Sequence, residues 1–431
     1  METKTISAPD LASLSPVIGP APPYYVKGMA LGLPAYLIGV HLWTWVFTVH
    51  IFLAGYADFS RLYTSGHMVR TGYGNQLYDG PQRYYLQNKL TPGEALPFDH
   101  PAFEALLFAP FSLLSYRAAY LAFLAFNVGL LALAFWLLPP WMKNLGGIYW
   151  WLPAAMFAAF LPLCAALIQG QDSILLLALL AGAFRYLNRG RDFAAGFLVG
   201  LGLFKFQLIV PLAVLFFLWR RWRFLSGFSL AAIAAVAVSV SLTGISQAWA
   251  YVHLLQSMSI KAASAADRLK TSLEPNVMPN VRGFLFGLLN GHLPNFWLQF
   301  STISLSCALL LWIARSAARR TTTDLLLIAI VASTLASYHL IIQDMAILLL
   351  PILVTMDRYI RAETTVATWD RFKFRTAALM FTAPLLMSWA PAHFYLAAVP
   401  LLVFMIAISQ PVTVVAFVPG LRNLPSESAS A

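Results

Sequence analysis

Apolar runs recur along almost the whole chain, near residues 33–54, 102–114, 118–138, 148–168, 173–184, 194–218, 228–242, 300–314, 325–338, 345–353, 377–389 and 396–408. Several are shorter than the roughly 17–20 residues that a perpendicular membrane helix needs. Short runs imply broken or re-entrant helices, because non-helical backbone at membrane depth survives only where protein or water satisfies its polar groups. The pattern predicts an all-α polytopic membrane protein of about ten to thirteen transmembrane or re-entrant helices, with loose boundaries. One stretch, 102–138, holds a short and a long run joined by Ser115-Tyr116-Arg117, and charge parity leaves open which part spans. No inverted repeat is visible.

The basic residues punctuate these runs in four groups: Arg185, Arg189 and Arg191; Arg220, Arg221 and Arg223; Arg315, Arg319 and Arg320; and Arg358, Arg361, Arg371, Lys373 and Arg375. Short loops rich in Lys and Arg face the cytoplasm, which puts two long polar segments, 55–101 and 244–298, outside. Functional residues concentrate on long ordered loops. Run 194–218 connects two basic groups, so it must enter and return as two half-length helices, with Lys205 and Gln207 at the tip. Run 148–184 forms a similar hairpin around Gln169-Gly-Gln171-Asp172-Ser, and a third outward turn carries His339, Gln343 and Asp344.

Composition agrees with the pattern: 60% of the 431 residues are hydrophobic and only 10% are charged, against about 25% charged in soluble domains. One membrane-embedded body over 31–418 is expected, flanked by flexible tails at 1–30 and 419–431. The 33–54 run is too long for a signal-peptide core of about 7–15 residues and reads as an uncleaved first span. A net charge of +11 belongs to cytoplasmic loops and anionic headgroups, not to nucleic acid. Cys164 and Cys307 both sit in apolar runs and form neither a disulfide framework nor a metal motif.

Ionisable groups at membrane depth are costly and usually functional. Asp58 stands just past the first span, where a base could take the proton of an acceptor hydroxyl while a lipid-linked donor keeps its tail in the bilayer; the plainer reading is a solvated helix-end aspartate. Asp99 and His100 close the same segment and either orient Asp58 or cap a helix that begins at Pro101. Lys205 either snorkels or meets a lipid phosphate. Arg282 is a candidate phosphate clamp or a surface arginine. His339 with Asp344, and Gln171 with Asp172, either line a site or satisfy their turns. Tyr63, Tyr73, Tyr78, Tyr84 and Tyr85 suit sugar stacking but equally an interfacial aromatic belt.

The succession of these pieces resembles the glycosyltransferase-C class, and within it the family 87 polyprenol-phosphate-mannose-dependent mannosyltransferases. The residues that carry it are Asp58-Phe-Ser with Gly72 and Leu77-Tyr78-Asp79, His100-Pro-Ala-Phe with Phe108-Ala-Pro, Gln169-Gly-Gln-Asp172-Ser, 196–202 with Phe204-Lys-Phe-Gln207, Pro279-Asn-Val-Arg282-Gly, and 339–349. The resemblance implies a glycosyltransferase-C-like bundle and a periplasm-facing site in the inner membrane. It implies a polyprenyl-phosphate-linked sugar donor, a lipid or glycan acceptor, and inverting transfer with Asp58 as base. It also implies that Lys205 and Arg282 hold the donor phosphate, with His339 lining the cavity as a second proton-handling group. No cofactor or metal is expected, since the outer segments show no dense acidic cluster. The rival classes are a transporter or lipid-linked-sugar flippase, which would use Lys205, Asp172 and Asp344 at a two-sided midplane cavity, and a non-enzymatic scaffold.

Overall fold

The structure is a computed structural model that describes residues 24–78, 89–90, 97–260, 274–316, 320–360 and 368–410. Asp79, Tyr84, Tyr85, Arg319, Arg361 and the outermost parts of both tails lie outside the described residues. Among those described, all regular elements are helices, with one isolated bridge between Asn290 and Leu293. By length and apolar composition six helical stretches of the described residues suffice to cross a membrane, or up to seven if a pair bent by 55° counts as one span; one of the six, Asp192–Leu218, is the hairpin described below. The expected all-α polytopic architecture is observed.

The principal helices are α1 (Tyr24–Ile51), α2 (Phe59–Arg70), α3 (Tyr116–Leu137), α4 (Leu152–Ala159), α5 (Leu161–Gln169), α6 (Ser173–Leu187), α7 (Asp192–Leu201), α8 (Phe206–Leu218) and α9 (Trp222–Thr243). They are followed by α10 (Ile245–Ile260), α11 (Val281–Leu289), α12 (Asn295–Ser316), α13 (Thr322–Ala336), α14 (Leu349–Tyr359), α15 (Thr368–Thr382) and α16 (Ala398–Ser409).

The contacts assign each helix end to one of two poles. At one pole, Arg185 donates to the carbonyl of Leu137, Asn144 to that of Asp357, Arg221 to that of Arg320, and Arg320 to that of Ser409, while Arg358 pairs with Asp324 at 2.9 Å. The basic loops therefore gather at one end of the bundle. At the other pole, Tyr120 donates to Ile168, Asn127 to Gln171 and Asn280 to Ser337.

Between the poles, 192–218 is the expected hairpin. Helices α7 and α9 leave the basic pole side by side because Gly196 and Gly227 let their backbones meet. A Cβ at Gly196 would lie 1.8 Å from the Phe224 carbonyl oxygen, and one at Gly227 would lie 2.0 Å from that of Phe193, the small-residue contact by which apolar helices pack without a hydrophobic drive. The chain turns through a 3-10 segment, Gly202–Lys205, and α8 returns beside α13, so that Trp219 donates to the Ala314 carbonyl at the basic pole. Lys205 is left at the apex.

The unsettled stretch resolves in the same way. Residues 102–113 form only short turns of helix, and α3 alone runs the length of the bundle. Segment 55–78 is less of a loop than its polarity predicts. The chain leaves α1 through a π-helical turn that breaks at Gly55, whose φ of 99° favours glycine. It then lays α2 across the end of the bundle, with Phe59, Leu62 and Tyr63 buried in a second, aromatic core around Phe108, Tyr116, Tyr120 and Phe123. That core fixes Asp58, at the start of α2.

Candidate active site

Asp58 is buried, with 9% of the residue exposed. It does not cap α2 with its side chain; its Oδ2 instead accepts from Gln171 Nε2 at 2.6 Å and from Gln343 Nε2 at 3.2 Å, and lies 3.6 Å from Arg61 NH2. All these contacts fall on one oxygen. Oδ1 has no contact of this kind among the described residues. The solvated-aspartate reading is therefore excluded, and so is the capping role for Asp99 and His100: the 3-10 turn Ala102–Glu104 has Pro101 at its N-cap position and no side-chain cap. Asp99 instead receives Arg61 NH1 at 2.8 Å, and its link to Asp58 runs through that guanidinium.

Lys205, 3% exposed, contacts three acceptors: Asp172 Oδ1 at 3.0 Å, Asp344 Oδ1 at 3.1 Å and Gln171 Oε1 at 3.0 Å. An ammonium has three N–H donors, and the contacts match that number. Gln171 thus joins base to cation, donating to Asp58 through Nε2 and accepting from Lys205 through Oε1. Ser173 supports Asp344 at 3.1 Å. The turn that brings Gln171 and Asp172 here depends on Gly170, at φ 61°, where a Cβ would meet Phe59 Cβ at 2.7 Å.

A cavity of about 160 Å³ opens at this pole, lined by Arg61, Asp99, His100, Lys205, Gln207, His339 and Asp344, with Phe204, Phe206, Leu255, Tyr338 and Ile341 as its apolar wall. Asp58 is not among the lining residues, but Arg61, 3.6 Å from it, is. Arg282 does not line the cavity either; its guanidinium lies 4.0 Å over the Tyr338 ring and donates to the Tyr338 carbonyl at 3.2 Å. Arg282 is therefore neither a surface arginine nor a direct wall of the cavity. Two of the tyrosines do other work: Tyr63 donates to the Leu114 carbonyl and Tyr78 to the His100 carbonyl.

Two residues that sequence reasoning passed over complete the site. Arg61, one turn after Asp58, bridges two carboxylates. Glu104, four residues after His100 and 2% exposed, shares a hydrogen bond with His100 Nδ1, and Asp172 Oδ2 lies 3.6 Å from the same nitrogen. Burial alone would lower the His100 pKa, but the Glu104 charge, joined by Asp172 and Asp99, raises it to about 10. His339 goes the other way. Burial, outweighing Asp344 and Asp99, pulls it to about 4, so it is a neutral imidazole near pH 7. Asp58, Asp99, Glu104, Asp172 and Asp344 converge from distant segments, only the first two of them from the outer segments, and the ligand-type atoms of His100, Glu104 and Asp172 lie within 4.8 Å of one another.

A polyprenol-phosphate-mannose-dependent alpha-(1-2)-phosphatidylinositol mannoside mannosyltransferase of Mycolicibacterium smegmatis is 29% identical over 270 residues, covering 58% of this chain and 57% of the relative. The match thus spans little more than half of that protein's own length. No solved structure matches. The sequence profile of glycosyltransferase family 87 matches residues 98–342, which hold His100, Gln171, Asp172, Lys205, Arg282 and His339. The chain belongs to glycosyltransferase family 87.

Proposed function

We propose that this membrane protein transfers a monosaccharide, mannose or another hexose, from a polyprenyl-phosphate donor to a hydroxyl of a lipid or glycan acceptor, with Asp58 as general base. The observation that carries the reading is the one-sided anchoring of Asp58: two amides and a guanidinium hold Oδ2, which leaves Oδ1 to take the acceptor proton. As that O–H bond breaks, the acceptor oxygen bonds to the anomeric carbon, and the bond from that carbon to the phosphate oxygen breaks with its electron pair. One displacement inverts the anomeric centre. The departing phosphate monoester is weakly basic and needs cations rather than an acid, and stabilising charge on the leaving oxygen is commonly the largest single catalytic contribution.

Lys205 and Arg61 in the cavity wall supply positive potential for that phosphate. Arg282 acts one layer back, holding Tyr338 and the turn that bears His339. His339, uncharged, offers a hydrogen bond to a sugar or acceptor hydroxyl. The basic loops occupy the opposite pole, which by the positive-inside rule supports an extracytoplasmic pocket. The polar groups gather at one pole rather than in a two-sided midplane chamber, which favours transfer over transport. The test is a screen of purified protein with polyprenyl-phosphate-mannose, -glucose and -arabinose, using membrane lipid extracts as acceptors. Transfer from one donor is expected, and donor translocation without transfer would favour the flippase.

A further inference from the structure

A second cavity, of about 480 Å³, lies away from the active site, between α1, the short helix Lys143–Ile148, α4, α14 and α15. That volume falls within the range of about 300–1,000 Å³ of small-molecule pockets. The cavity exists because α1 packs on α4 and α5 whereas α15 packs on α14 and α16, so that α1 and α15 stand apart with the gap between them. Val26, Leu145 and Phe381 are buried and belong to its inner wall, while Tyr25, Met29 and Leu379 are each more than half exposed and belong to its rim. The slot therefore opens on the flank of the bundle, where it meets acyl chains rather than water.

Its depth and its charge match one leaflet of a bilayer. On α1 the wall runs from Tyr25 to Pro34 and on α15 from Phe374 to Thr382, which at 1.5 Å per residue is about 12–13 Å, close to the roughly 15 Å of half a hydrocarbon core. One end of the slot is the basic pole. Helix α1 starts there and delivers Asp58 to the opposite pole, the Leu145 N–H donates to Asp357 Oδ1 at 2.8 Å, and Lys373, in the first half of α15, reaches the Tyr359 hydroxyl at 3.5 Å. Arg375 is exposed, stands at that same end, and is the one charged residue among the described residues that line the slot. Besides it, only Tyr25 and Thr382 bring oxygen or nitrogen atoms from their side chains to the wall.

We propose that this slot binds one anionic phospholipid of the leaflet at the basic pole, with its phosphate on Arg375 and an acyl chain between α1 and α15. Basic pockets between membrane helices on the cytoplasmic side take anionic headgroups, and a guanidinium matches the geometry of phosphate oxygens. The positive end favours a headgroup whose negative charge is not cancelled by an amine, and the apolar wall favours a lipid over a free phosphate, which would leave the slot unfilled. The bound lipid ties α1 to α15, and α1 leads directly into the turn that places Asp58. This site is independent of the sugar transfer proposed above, whose donor presents its phosphate at the other pole.

The test places the full chain in liposomes containing a trace of phosphatidylglycerol with a photoreactive acyl chain, and maps the labelled peptides. Saturable label is expected in the peptides that hold residues 25–34 and 374–382, chased by unlabelled phosphatidylglycerol at lower concentration than by phosphatidylcholine. The same protein in detergent, titrated with phosphatidylglycerol and followed by native mass spectrometry, should hold one lipid per chain. In Arg375→Ala the affinity should fall by about fivefold, the factor that corresponds to about 1 kcal/mol per basic residue near an anionic surface. Absence of saturable label from both peptides overturns the proposal, as does equal displacement by the two lipids or an unchanged affinity in Arg375→Ala. Displacement by polyprenyl phosphate but not by phosphatidylglycerol would give the slot to the donor's tail and overturn it too. If Arg375→Ala does not elute as a monodisperse species, labelling and competition in the wild-type protein decide alone. Neither readout involves sugar transfer, so loss of the proposed function would leave this site standing, and loss of this site would leave that function.

Discussion

Replacing Asp58 with asparagine isolates the base from the scaffold. The amide oxygen of an asparagine can keep the hydrogen bonds now made by Gln171 and Gln343 at 2.6 and 3.2 Å, and the volume is unchanged, so the aromatic core around Phe59 has no reason to move. What is lost is the lone pair of Oδ1 and one negative charge beside Arg61, whose stronger partner is Asp99 at 2.8 Å. The fold should survive and the proton transfer should not. A general base is worth about 10²–10⁴ in rate, or about 2.7–5.5 kcal/mol at 1.36 kcal/mol per decade. The assay is transfer of labelled sugar from a polyprenyl-phosphate donor in proteoliposomes, with donor affinity measured separately. The expected result is a kcat lower by about two to four decades with donor affinity nearly unchanged. A loss below about threefold in a folded variant would refute the base assignment, since no general base contributes so little.

Other substitutions separate binding from support. Lys205→Ala leaves Asp172 and Asp344 buried without their ammonium and should destabilise the protein by about 3–5 kcal/mol; at temperatures where it stays folded, KM for donor should rise more than KM for acceptor, and an equal rise would count against the phosphate role. Arg282→Lys loses the planar face that stacks on Tyr338 at 4.0 Å and should lower activity by about tenfold, because Arg and Lys do not interchange at stacked sites; unchanged kinetics would remove Arg282 from the account. His339 at about 4 binds fewer protons folded than unfolded between about pH 4 and 6.5, so its share of stability is present above pH 6.5 and is lost as pH falls toward 4. His339→Gln should accordingly flatten the acid side of the thermal-stability profile, and an unchanged profile would contradict that assignment. Gly227→Val puts side-chain atoms against the Phe193 carbonyl, only 2.0 Å from the Cβ position, and should prevent accumulation of folded protein.

The sequence made the site's parts legible where one residue type is costly in its setting. A lysine between two apolar half-helices can stand only at a satisfied apex, and Lys205 does. An aspartate just beyond the first span marked the pole where function collects. The sequence was silent on what depends on convergence of segments far apart in the chain. Arg61 looked like one more polar residue in a loop, because nothing local says that α2 is buried on nearly every side. Its spacing of three from Asp58 was the available signal. Glu104 was hidden in the same way, although its spacing of four from His100 fits one turn of helix. The hairpin at 192–218 was readable from charge alone, since basic loops at both ends require a return. The short pieces at 102–113 were not, because periodicity cannot separate a short span from a turn that only plugs the pole.

The central claim is a single displacement at the anomeric carbon, driven by a carboxylate that takes the acceptor proton. The anomeric configuration of the product made by the purified wild-type protein, read by NMR against that of the polyprenyl-phosphate donor, tests it most directly. Inversion, with one polyprenyl phosphate released per sugar transferred, is the predicted result; a product that retains the donor's configuration would contradict it.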